Sequence, residues 1–173
     1  WILASGPHGL SRLGLALLQD DPLILNVSLP NSLKSKAILI HQRPYPPLAA
    51  LRDLKNCKPE NISWRAAGTD SSDGLLQAIN NLCMHSNCKA VLKKSSLPKS
   101  EDWPEGKQWD DWCLDGGEDY ELIISIPPEW GRELIQANSN FHLIGTMHKG
   151  NSEVVWENGE ECLSKDLNIF KHF

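Results

Sequence analysis

Apolar residues recur along the chain in two rhythms. Leu10, Leu13, Leu17 and Leu18 fall at helical spacing, as do Leu33, Ala37 and Ile40, although Ala37 to Ile40 also fits a buried strand. Leu48, Leu51 and Leu54 form one face of a short helix. The clearest stripe is Leu75, Leu76, Ile79, Leu82 and Cys83, which predicts an amphipathic helix. Trp109, Trp112 and Cys113 suggest one or two helical turns, and Glu129 to Ala137 a helix opening behind a proline pair. Strands are predicted at Ile2-Leu3, Trp64 to Ala67, Ala90 to Leu92, Glu118 to Ile126 and Phe141 to Met147. Val154 to Trp156 and the residues around Cys162 suggest a terminal hairpin. Leu23 to Leu29 fits either rhythm. Strand, helix and strand from Glu118 to Met147 make a βαβ-type unit, so the fold class is α/β (α+β).

Prolines and glycines divide these elements. Asp20-Asp21-Pro22 stops the first helix, because the residue before proline avoids the α region. Arg43-Pro44-Tyr45-Pro46-Pro47 reads as a rigid connector. The length of 173 residues suits one domain. With 40% hydrophobic and 23% charged residues, extensive disorder is excluded. No apolar run approaches the roughly 18 residues of a membrane span. A balance of 17 basic against 22 acidic residues shows no basic face for nucleic acid. Five cysteines without a disulfide framework favour a reducing compartment, here the cytoplasm. The chain begins at Trp1 and is read as the later part of a longer protein.

Two acidic segments are candidates for chemistry. In Asp70-Ser71-Ser72-Asp73-Gly74, two carboxylates three residues apart sit where a strand turns into a helix. Hard cations such as Mg²⁺ take oxygen ligands, usually one or two protein carboxylates with phosphate oxygens. The exposed N–H groups of a helix start suit phosphate. Plain capping, with Ser72 as N-cap, accounts for the same residues. Gly116-Gly117-Glu118-Asp119-Tyr120-Glu121 places carboxylates behind a flexible turn, as either a ligand edge or a solvated one. Gly6-Pro7-His8-Gly9 before a helix could receive an anion, but it lacks the lysine and spacing of a P-loop. Cys83-Met84-His85-Ser86-Asn87-Cys88 is a poor match to structural zinc spacing. Trp103, Trp109 and Trp112 read as packing, since no basic residues interleave with them.

The two acidic segments together resemble the thiamine-monophosphate kinases. Asp70-Ser71-Ser72-Asp73-Gly74-Leu75 is similar to that family's Asp-x-Ser-Asp-Gly-Leu motif, and Gly116 to Leu122 to its Gly-Gly-Glu-Asp-Tyr-Glu-Leu motif. Gly6, Gly9, Ser11, Gly14 and Leu15 resemble the turn and helix opening the family's second half. Arg43-Pro44-x-Pro46, Ile144-Gly145 and the ending Phe170-Lys171-His172-Phe173 follow in family order. Ser71, Asp115, Pro47 and the pair Pro7-His8 depart from the pattern.

The resemblance implies an aminoimidazole ribonucleotide synthetase-type C-terminal domain, a mixed sheet packed with helices, over residues 1–173. An N-terminal ATP- and Mg²⁺-binding domain would precede it and carry most contacts of a homodimer. The implied reaction is direct, in-line, Mg²⁺-assisted transfer of the ATP γ-phosphoryl group to thiamine monophosphate, with several Mg²⁺ ions. Asp70 and Asp73 would bind metal, with Asp73 catalytic. Ser72 would contact ATP, and Glu118 and Phe170 (or Phe173) the substrate. The chain alone would be inactive. The alternatives are another phosphate-handling enzyme of the same superfamily, such as an aminoimidazole ribonucleotide, selenophosphate or hydrogenase-maturation relative, or a non-catalytic nucleotide- or partner-binding module.

Overall fold

Six strands form one mixed sheet in the computed structural model, which describes residues 1–162. They are β1 (Ile2–Ala4), β2 (Ala67–Asp70), β3 (Cys88–Leu92), β4 (Leu122–Ser125), β5 (His142–Lys149) and β6 (Glu153–Trp156). Their spatial order is β2-β4-β1-β5-β3-β6, and every neighbouring pair is antiparallel except β3 and β6. Six α-helices accompany them among the described residues: α1 (Leu10–Leu18), α2 (Asn31–Gln42), α3 (Leu48–Asn56), α4 (Leu75–Ser86), α5 (Lys107–Asp115) and α6 (Pro128–Ala137). None of them is long and apolar enough to cross a membrane.

The two-residue period of the strands divides the core. Leu3 of β1 lies opposite Ile124 of β4, and both pack with Ala50 and Leu54 of α3 and Trp130 and Leu134 of α6. Ile2, Ala4 and Ile123 point the other way, onto the Leu75, Ala78 and Ile79 stripe of α4 and Cys113 of α5. A third cluster joins α1 and α2 through Leu10, Leu13, Leu33 and Ala37, closed by Trp103, Trp109 and Trp112. The three indoles meet edge to face, with ring centroids 5.7 and 5.2 Å apart, so they are packing residues as expected.

Three expectations shift in place. The βαβ unit exists but is split. β4 and β5 each run antiparallel to β1, which lies between them, so they are parallel to each other and joined by α6. Insertion of a strand from the start of the chain leaves no local trace in the sequence. The strand expected from Glu118 begins only at Leu122, because Glu118 and Tyr120 take positive φ values of 67° and 55°. The strand expected at Trp64 to Ala67 starts at Ala67 and runs to Asp70.

Candidate active site

Register brings three chain segments to one end of the sheet. Asp70, the last residue of β2, pairs with Leu122, the first of β4. Ala4, the last of β1, pairs with Ile123. Three segments therefore lie side by side: the turn leaving β1 (Ser5 to Gly9), the turn leaving β2 (Ser71 to Gly74) and the segment entering β4 (Gly116 to Glu121).

Hydrogen bonds lock these segments together. The Ser71 N–H donates to the Glu121 carbonyl at 2.9 Å, and the Glu121 N–H returns a bond to Ser71 Oγ at 3.1 Å. The Glu118 N–H donates to the Ser72 carbonyl at 2.7 Å. Ser5 holds the other side: its N–H donates to the Leu122 carbonyl, its Oγ accepts from the Leu122 N–H at 2.8 Å, and its hydroxyl donates to Glu121. Burial pushes the Glu121 carboxyl above its ordinary range, opposed by that hydroxyl.

His8 and Ser71, both departures from the family pattern, meet inside this lock. His8 Nε2 lies 2.9 Å from Ser71 Oγ, and Nδ1 lies 3.1 Å from the Gly6 carbonyl. Ser71 Oγ already accepts from Glu121, so its proton is free to go to Nε2 while Nδ1–H serves the carbonyl. That is the neutral imidazole. Burial, the largest cause, lowers the His8 pKa to about 4. The sequence alone suggests no partner for His8; the structure supplies one 63 residues away.

The start of α1 is not open to an outside anion. The Asp119 carboxylate fills it, accepting from the Gly9 N–H at 2.6 Å and the Ser11 N–H at 2.9 Å. Gly9 sits at φ 85°, and a Cβ there would lie 2.9 Å from both the Trp103 ring and the Trp112 carbonyl oxygen. Burial pushes Asp119 up to about 7 against the pull of these amides. Nothing in a Glu-Asp-Tyr-Glu string separates the buried cap from its half-exposed neighbour.

Asp70 and Asp73 are exposed on the outer side of the lock, and Ser72 is half-buried between them. Asp70 receives the Thr69 hydroxyl at 3.5 Å. Ser72 is not the cap of α4. The N-cap is Gly74 at φ 100°, which has no side chain to cap with. The proline connector arrives beside Asp70. Pro46, Pro47, Leu48 and Leu51 line an apolar hollow of about 120 Å³ with Asp70, Tyr120 and Leu122. Among the described residues no three His, Cys, Asp or Glu side chains converge as a metal-holding group, the Cys83 to Cys88 segment included. None of the five cysteines is in a disulfide. Phe170 and Phe173 lie outside the described residues.

The structure thus brings Asp70, Ser72, Asp73 and Glu118 to one end of the sheet. The arrangement presents exposed carboxylates and helix-start amides, a donor and acceptor set for a metal-bound phosphate. A thiamine-monophosphate kinase of Prochlorococcus marinus is 51% identical over all 173 residues, which cover 52% of that protein. The chain matches the C-terminal half of thiamine-monophosphate kinases. It spans about half the length of the curated relatives it matches.

Solved kinases of this family share the fold. The crystal structure of thiamine-monophosphate kinase from Stenotrophomonas maltophilia superimposes with a TM-score of 0.72 at 27% identity, over 92% of this chain and 50% of that one. AaThiL complexed with AMPPCP and TMP gives 0.71 at 26% identity, over 94% and 49%. The fold is the aminoimidazole ribonucleotide synthetase-like one. No family model matches the chain.

Sequence reasoning missed Ser5, His8, Ser11, His41 and Asp119 as site-organising residues. Each acts through a partner at least 30 residues away in the chain, which no spacing rule detects.

Proposed function

We propose that the whole protein transfers the γ-phosphoryl group of ATP to thiamine monophosphate, and that this chain supplies the acidic turn and one wall of the substrate site. The observation that carries the reading is the interlock itself. The two family motifs, 42 residues apart between Gly74 and Gly116, are held in register by the 2.7 Å bond from Glu118 to Ser72 and the reciprocal bonds of Ser71 and Glu121. AaThiL, solved in complex with AMPPCP and TMP, supports the choice of substrates.

Asp70 and Asp73 are the residues that would hold Mg²⁺. The donor set fits: two exposed carboxylates on one turn are the number Mg²⁺ usually takes from protein when phosphate oxygens and water complete its octahedron. Bound there, Mg²⁺ would neutralise phosphate charge. Ser72 and the start of α4 would orient phosphate oxygens of ATP, and Glu118 would face the substrate. Phe170 or Phe173 would close the ring pocket. The acceptor is a phosphate already ionised near neutral pH, so orientation and charge neutralisation suffice and no strong base is needed. The half of the protein preceding this chain would contribute further metal ligands and most of a homodimer interface, and the enzyme would work in the cytoplasm.

The test is turnover by the whole protein, Mg²⁺ and ATP with thiamine monophosphate as sole acceptor. Thiamine diphosphate and ADP should form in equal amounts. This chain by itself should form none, because half of the proposed site is elsewhere. Formation by the chain alone would contradict the division of the site.

A further inference from the structure

We infer that His41 is a positioning residue for the Glu118 carboxylate and thereby sets affinity for the thiamine moiety; this rests on the function proposed above. His41 stands in the last turn of α2. Its place is fixed by the crossing of α1 and α2, where a Cβ on Gly14 would lie 2.7 Å from the His41 Cβ and would overlap the Ala37 carbonyl. From there Nδ1 lies 3.0 Å from Ser11 Oγ and 3.8 Å from Glu118 Oε2.

These contacts close a ring. The Ser11 N–H donates to Asp119 at 2.9 Å, Asp119 follows Glu118 in the chain, and His41 bridges Ser11 Oγ to Glu118. The Glu118 backbone is held separately, by its positive φ and its bond to Ser72. Its carboxylate is about one-third exposed and lies beside the His41 ring. A carboxylate 3.8 Å from Nδ1, beyond hydrogen-bond reach, still favours an imidazole that carries its proton on that nitrogen, donating to Ser11 Oγ and turning its positive edge toward the carboxylate. Glu118 is thereby turned outward as an acceptor of defined direction. Thiamine offers two matching groups, a thiazolium cation and the amino group of its pyrimidine ring.

The geometry names the nitrogen, and this gives a sharp test. An asparagine amide nitrogen falls near the Nδ1 position and a glutamine amide nitrogen near Nε2. In the whole protein, His41→Leu and His41→Gln should raise the KM for thiamine monophosphate by about fivefold, the scale of one lost, partly exposed electrostatic contact. The KM for ATP should stay within about twofold. His41→Asn should stay within about twofold of wild type for both substrates. Calorimetric binding of thiamine monophosphate without ATP should follow the same order. Three results would overturn the role: His41→Leu with unchanged substrate KM, His41→Asn as impaired as His41→Leu, or all variants losing both affinities together with thermal stability, as a merely structural contact would. A wild-type protein that neither binds nor turns over thiamine monophosphate would instead overturn the proposed function, and the role with it.

Discussion

Asp73 and His8 show how differently two residues of one site can behave. Asp73 is exposed on the turn before α4. Asp73→Asn removes charge without changing shape, so turnover of the whole protein should fall by about two orders of magnitude. The melting temperature should move by no more than about 2 °C. Kinetics and calorimetry on one preparation check both. Undiminished turnover in the folded variant would take Asp73 out of the proposed metal site.

His8 is fully buried and hydrogen-bonded at both nitrogens. Its folded pKa is lowered to about 4 from 6.5, chiefly by burial. Between those values the unfolded chain binds more protons than the folded one. The stability contributed by neutral His8 is therefore complete above pH 6.5 and is lost as pH falls toward 4. Asp119, raised to about 7, has the opposite sign below that pH. That contribution is common to wild type and a His8 variant. His8→Asn should thus cost about 2 kcal/mol at pH 7.5, and the gap from wild type should close on acidification to pH 4.5. Urea unfolding at several pH values reads this directly. A gap that widens toward acid would contradict the neutral, buried imidazole. Asp70, Ser72, Asp73 and Glu118 were legible as a pattern because they lie close together in motif strings. The His8–Ser71 bond was not, since two departures from a pattern carry no sign that they answer each other.

At the scale of elements, helices were easier to read than strands. The Leu75 to Cys83 stripe predicts α4 because one face of a helix repeats within a turn, and the observed helix runs from Leu75 to Ser86. Cap chemistry was harder. Ser72 has the composition of an N-cap, but its carbonyl is engaged by Glu118, and Gly74 takes the cap position. The cap of α1 comes from Asp119, on a segment over 100 residues away. Asp119→Ala should leave the Gly9 and Ser11 amides buried without acceptors. It should destabilise the fold by about 2 kcal/mol, whereas Asp119→Asn, which keeps an acceptor oxygen, should cost less. Chemical denaturation separates the two. Equal losses would mean that charge, rather than hydrogen bonding, holds the start of α1.

For the molecule as a whole, β1 is the element that converts local motifs into a site. Its place between β4 and β5 splits the βαβ unit and sets the turn Ser5 to Gly9 against both acidic segments. Ile2-Leu3 was visible as a strand, but its position in the sheet depends on pairing with partners beyond residue 120. The site is consequently a property of the tertiary fold, although its chemistry is written in two short strings. Those strings are proposed to place, at one end of the sheet, a phosphate-transfer site that acts on thiamine monophosphate. Phosphorus NMR of the whole protein with Mg²⁺, ATP and thiamine monophosphate tests it most directly. The account predicts thiamine diphosphate resonances growing as ATP is converted to ADP. Intact ATP, or ADP accompanied only by inorganic phosphate, would contradict it.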